Sequence, residues 1–115
     1  MEDYALILSD LFKEQYANHS SSGKIKIIEK INKLILEIIK EPRKGMGKPE
    51  RLKDVSKIEP EIDPQSIHIW SRRITEEHRL TYRIYDEKRI VFVMLCKGHY
   101  VDFNKFYGFN FLLDQ

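Results

Sequence analysis

Between Lys24 and Pro42 the chain carries Ile27, Ile28, Ile31, Leu34, Ile35, Ile38 and Ile39, a spacing of three and four residues that lines one side of a helix with branched aliphatic side chains. Lys26, Glu29, Lys30, Lys33, Glu37 and Lys40 fill the opposite side. Pro42, which has no amide hydrogen and clashes with the preceding turn, stops the helix. So broad a stripe is unstable in water and demands a flat apolar partner, which a sheet supplies. The polar side mixes both signs of charge, which argues against a helix lying on a membrane, where a uniformly basic face is expected.

The rest of the chain offers that sheet. Ile90 to Cys96 is a continuous apolar run, the pattern of a strand buried on both faces. Before it, Leu80, Tyr82 and Ile84 alternate with Arg79, Thr81 and Arg83, so this strand has an apolar face and a basic face. Ile67 to Ile74 predicts the strand paired with it, across the acidic tip Thr75 to His78, and Asp86-Glu87-Lys88-Arg89 predicts a tight polar turn. Upstream, Ala5 to Leu8 reads as a short, well-buried first strand. Leu11, Phe12, Gln15, Tyr16 and His19 predict a helix to about Asn18, capped by Ser9 or Asp10. Ser20 to Gly23 reads as a loop in which a serine caps the second helix. The order is strand, two helices, then three hairpin-connected strands: an α+β fold, a mostly antiparallel sheet with its helices packed on one face.

The 115 residues suit a single domain with one core, spanning residues 1–115. An acidic, proline-punctuated loop at about 54–66 and an aromatic stretch at about 101–115 stand outside the regular pattern. Phe103, Phe106, Tyr107, Phe109 and Phe111 predict a tail packed on the body or on a partner. Cys96 is the one cysteine, which excludes an internal disulfide and a cysteine-based zinc site; its apolar setting predicts an inert, buried thiol. His68, His78 and His99 lie on different elements without paired ligand spacing, and His78 at a hairpin tip reads as a surface residue. The N-terminus lacks the pattern of a signal peptide, and no apolar run approaches the ~20 residues that span a bilayer. A cytoplasmic protein that makes no membrane contact is expected.

A formal net charge of +2 makes a weak overall field, so an anion site must come from local clustering. Two clusters stand out. Arg43, Lys44, Lys48, Arg51 and Lys53 surround Glu50 in a stretch shaped by Gly45, Gly47 and Pro49, and lysines beside glycines suit phosphate contact. The hairpin adds Arg79 and Arg83 on its basic face. Taken alone, the arginines serve either solubility or a phosphate, and Glu50 is either a general base or one member of a surface ion pair.

In combination these features are specific. Gly47-Lys48-Pro49-Glu50, Leu52-Lys53, the unbroken Trp70-Ser71-Arg72-Arg73-Ile74-Thr75-Glu76-Glu77-His78-Arg79-Leu80, Tyr82, and His99-Tyr100 closely resemble the YoeB/Txe toxins of bacterial toxin–antitoxin pairs, within the RelE-like superfamily. The resemblance runs from roughly Ile27 to Tyr100. It implies a small endoribonuclease with a microbial-ribonuclease-like sheet, needing no metal or cofactor, that cuts mRNA in the ribosomal decoding site. It also implies a cognate YefM-like antitoxin that wraps and silences the toxin, and a toxin that is often a homodimer. By motif, Glu50 is the general base, Arg79 stabilises the transition state, and His99 is the general acid with Tyr100 beside it; Lys48, Lys53, Arg73 and Arg83 are the RNA-binding cations. The residue types suit the chemistry. A carboxylate takes the 2'-hydroxyl proton, an arginine stabilises the charge gathering on phosphorus, and an imidazole protonates the leaving 5'-oxygen.

Three departures from the family pattern stand out: the longer, acidic segment between Lys53 and Trp70; Gly98 in place of a bulkier residue, which predicts a looser backbone before His99; and the tail beyond Tyr100. The acidic segment would repel RNA or meet a protein, and the tail would tune access to the site or form an interface. Two further readings use the same basic face: a non-catalytic ribosome- or RNA-binding module, and a protein-interaction subunit that acts only with its antitoxin.

Overall fold

Helix α1 (Asp10–Ser21) begins where Ser9 turns the chain. The Ser9 hydroxyl accepts from the Phe12 amide at 2.9 Å and donates to the Met94 carbonyl at 2.6 Å, so one side chain both caps the helix and ties it to the sheet. The computed structural model describes residues 2–52 and 69–98. Around α1 stand β1 (Ala5–Leu8), α2 (Ile25–Ile38), β2 (Glu50–Arg51), β3 (Ile69–Arg73), β4 (Arg79–Tyr85) and β5 (Ile90–Leu95). The sheet runs β1-β5-β4-β3-β2, with β1 parallel to β5 and every other pair antiparallel. The expected α+β fold is what forms.

The core lies between the helices and one face of the sheet. Phe12, Ile31, Leu34 and Ile38 pack on Leu80, Tyr82, Ile84, Val91 and Val93, and all are buried. An isolated helix as short as α2 is marginal in water. Burying a large aliphatic side chain contributes about 1.5–3 kcal/mol, so Ile31, Leu34 and Ile38 hold α2 in place more than intrinsic propensity does. Strand β5 is buried from Val91 onward, as its unbroken apolar run predicts. Cys96 follows it into the core, fully shielded, and burial pushes its thiol up to about 12 against the opposing charge of Lys97. Native protein should therefore resist a thiol reagent at pH 8 and react only on unfolding. The raised value also has a linkage consequence. The stability it confers is complete below pH 9, the ordinary thiol value, and is lost as the pH rises towards 12. Urea melts from pH 8 to 11 check the sign, and rapid native labelling would contradict it.

Three local expectations change. Strand β1 is not well buried: Leu6 and Ile7 are 39% and 47% exposed, because among the described residues β1 is an edge of the sheet paired with β5 alone, and of its residues only Leu8 reaches the core cluster. The serine cluster does not cap α2. Helix α1 runs on through Ser21, the Ser22 amide donates to the Asn18 carbonyl, and α2 starts at Ile25, with Lys24 before it making no side-chain cap. With the serines drawn into α1, only a short turn remains between the helices. Finally, the basic loop contributes a strand. Glu50 and Arg51 pair with Ser71 and Trp70 as β2, the opposite edge.

Candidate active site

Strand register decides which polar residues meet. Residues directly opposed across a sheet share a face. Glu50 opposes Ser71, Ser71 opposes Thr81, and Thr81 opposes Leu95, in one row across four strands. The next row holds Arg73 opposite Arg79, and the row on the other side of Thr81 holds Ile69, Arg83 and Phe92. Tyr82, opposed by Trp70 and Val93, points into the helix-side core, so these three rows lie on the other face. Glu50, Arg73, Arg79 and Arg83 are therefore on one face, as their alternation predicts. With strands ~4.8 Å apart and residues rising ~3.3 Å, the Cα atoms of Glu50 and Arg79 are separated by roughly 12 Å. The centre of the face is closed, with Thr81 and Leu95 inaccessible, so the cations form a rim around it.

Arg79 and Arg83 each have an identifiable side-chain support. The Arg79 guanidinium is tied through Nη1 to the carbonyls of Thr75 at 2.5 Å, Glu76 at 3.2 Å and His78 at 3.3 Å. Arg83 stacks over the Tyr85 ring at 5.1 Å. Arg73 is exposed, and its amide donates to the Gly47 carbonyl at 2.6 Å. Lys48 is exposed two residues before Glu50, in the left-handed conformation at φ 50° that swings the chain into β2. Glu50 is exposed. Lys53, His99 and Tyr100, together with the 54–66 loop and the 101–115 tail, lie outside the described residues.

The residue that sequence reasoning passed over is Arg72. It is completely buried on the helix side of β3. Its guanidinium donates to Glu37 Oε1 at 2.8 Å, the carbonyls of Glu41 at 2.6 Å, Lys44 at 2.7 Å and Met46 at 3.3 Å, and the Tyr82 hydroxyl at 3.1 Å. Tyr82 in turn donates to the Pro42 carbonyl at 2.6 Å, and burial raises its phenol above the ordinary value while Arg72 opposes the rise. One cation thus gathers the whole turn from residue 41 to 46, just upstream of Glu50. The glycines fit around it. A Cβ on Gly45 would fall 1.4 Å from Glu37 Oε1, and one on Gly47 would fall 3.0 Å from both the Arg72 Cβ and the Arg73 carbonyl. Strand parity was the signal: in Trp70 to Ile74, Arg72 shares the inward face with Trp70 and Ile74, where a charge must find partners.

His78 also differs from its reading as a surface residue. It is half-buried, because the tip folds back on itself: the amides of Ile74 and Thr75 both donate to the His78 carbonyl. Its ring meets the buried His19 ring edge-on at 5.0 Å, and its Nδ1 accepts the Gly98 amide at 3.0 Å. Gly98, expected to loosen the chain, has both backbone polar groups bonded, since its carbonyl accepts from the Arg79 amide at 3.0 Å.

Two helices on one face of a mostly antiparallel sheet, with the opposite face edged by arginines, put this chain among the RelE-like toxin folds. A family model described as the YoeB-like toxin of bacterial type II toxin–antitoxin system matches residues 9–100. The Toxin YoeB of Escherichia coli (strain K12) is 37% identical over 95 residues, which are 83% of this chain and 98% of that one. The solved YoeB/ParE toxin from Agrobacterium tumefaciens superposes with a TM-score of 0.68 at 32% identity, covering 84% of this chain and 99% of that one. The heterotetrameric YoeB-YefM toxin-antitoxin complex from Staphylococcus aureus contains a chain that superposes at 0.63 and 32% identity, covering 84% of this chain and 98% of that one. This chain belongs to the YoeB-like toxins of bacterial type II toxin–antitoxin systems.

Proposed function

We propose that the protein is a ribosome-dependent endoribonuclease that cleaves mRNA by attack of a 2'-hydroxyl on the adjacent phosphate and so stops translation. The observation that carries this reading is the shared sheet face of Glu50 and Arg79, with Arg73 and Arg83 along it. Glu50 removes the 2'-hydroxyl proton. Arg79, held at one end by the tip carbonyls, directs its remaining donors to the phosphorane oxygens as charge builds there. His99 protonates the departing 5'-oxygen with Tyr100 beside it, and Lys48, Lys53, Arg73 and Arg83 bind flanking phosphates. Base, acid and the cation that stabilises the phosphorane are all side chains of the chain, so the scheme draws on no metal or cofactor. Its partners on this reading are the ribosome, mRNA, a YefM-like antitoxin and a second copy of itself, in the cytoplasm. The solved relative assembled with YefM supports the antitoxin.

The test is cleavage of an mRNA on purified ribosomes by wild type and His99→Gln. Wild type should cut, and His99→Gln should lose about 10²–10⁴ of the rate while still binding the ribosome. Binding without cutting by either protein would replace this reading with that of a non-catalytic ribosome-binding module.

A further inference from the structure

We propose that His78 is a positioning residue for the acid end of the site: its Nδ1 holds the amide of Gly98, the residue before His99. The proposal rests on the ribonuclease reading above. Beyond Thr81 and Leu95 the β4–β5 ladder ends, just past the irregularity at Thr81/Tyr82. From Cys96 to Gly98 the regular ladder no longer serves the backbone, and side chains supply several of its partners. Gln15 Oε1 accepts the Cys96 amide at 2.8 Å, His19 Nε2 lies 3.0 Å from the Cys96 carbonyl, and His78 Nδ1 accepts the Gly98 amide at 3.0 Å.

The last of these differs from the others in what it joins. The Gly98 carbonyl is bonded to the amide of Arg79, the residue after His78. Residues 78 and 79 thus grip both sides of residue 98, and the grip couples the backbone of the phosphate-binding arginine to the residue before the proposed acid. Gly98 takes φ +71°, a conformation that an L side chain resists. Gly98 has no side chain of its own to pack, and these two bonds hold its peptide groups. The ring that makes the bond is itself seated. His78 lies edge-on against His19, which is 5% exposed and faces a carbonyl that only accepts, so His19 carries its proton on Nε2. His78 must leave Nδ1 unprotonated to accept, so when neutral it carries its proton on Nε2.

Isosteres separate this role from plain packing. Asparagine sets its carbonyl oxygen near the place of Nδ1, whereas glutamine carries its oxygen out to the region of Nε2. Cleavage on the ribosome, ribosome affinity, and hydrogen exchange of the Gly98 amide are measured for His78→Asn, His78→Gln and His78→Ala. The expected result is a kcat ~10- to 100-fold down for the Gln and Ala variants, the scale of a misplaced catalytic group. Ribosome affinity stays within about twofold, and Gly98 exchange accelerates. His78→Asn restores both the rate and the protection. Should His78→Ala lose its fold in a thermal melt, the Asn–Gln comparison decides. Cutting at the wild-type rate by both Gln and Asn variants overturns the positioning role alone. So does an Asn variant that protects Gly98 yet cuts no better than Gln. A wild type that does not cut overturns the ribonuclease reading and this inference together.

Discussion

Arg72→Met should lower the unfolding free energy by about 3–5 kcal/mol, the range for removing one partner from a buried, hydrogen-bonded ion pair. The substitution leaves Glu37 without its cation and withdraws donors from the carbonyls of Glu41, Lys44 and Met46 and from the Tyr82 hydroxyl. Some of those groups can be rehydrated, because the Glu37 side chain is 31% exposed, which argues for the lower half of the range. Arg72→Lys keeps the charge but lacks the planar fork that reaches several acceptors at once, so it should fall between wild type and methionine. Urea denaturation measures both. A methionine variant within 1 kcal/mol of wild type would show that the network is dispensable for folding. The effect should reach the reaction too. The Gly47 carbonyl bonds to the Arg73 amide in the same turn, and β2 begins three residues later, so a released turn frees Glu50 from its row.

Glu50→Gln should leave stability nearly unchanged and lower kcat by about 10²–10⁴, the usual contribution of a general base. The separation follows from exposure: Glu50 is solvent-facing at the sheet edge, and surface substitutions of that kind usually stay within ±0.5 kcal/mol. Removing one negative charge from a cationic rim should also strengthen ribosome binding slightly, so KM should fall while kcat collapses. Single-turnover cleavage on ribosomes, with a urea melt of the same preparation, reads both quantities. A variant that cuts at the wild-type rate would remove Glu50 from the chemistry and leave it a surface carboxylate.

Much of the architecture was readable along the chain. The α2 stripe, the alternation in β4 and the apolar run of β5 each reported one buried surface, because side-chain direction repeats with the local backbone geometry. The same alternation placed Arg79 and Arg83 together on the face away from the helices. Composition did not say how exposed a short apolar strand would be. Ala5 to Leu8 looks as apolar as an inner strand, but it lies at the edge. Nor did local pattern identify β2, since a strand of two residues has no periodicity and exists only through its pairing with Ser71 and Trp70. His78 was misjudged for a related reason: hairpin tips usually face water, and this one folds onto a helix far from it in sequence.

Sequence alone determined the class of fold, the family, and which residue types could carry the chemistry, because periodicity and motif are properties of neighbouring residues. Tertiary structure alone decided that Glu50 shares a row with Thr81, that Arg72 gathers the turn before it, and that His78 holds Gly98. Those contacts join residues 20 to 31 positions apart, or cross strands whose register no local pattern specifies. They arise only when the core closes and every buried polar group must find a partner.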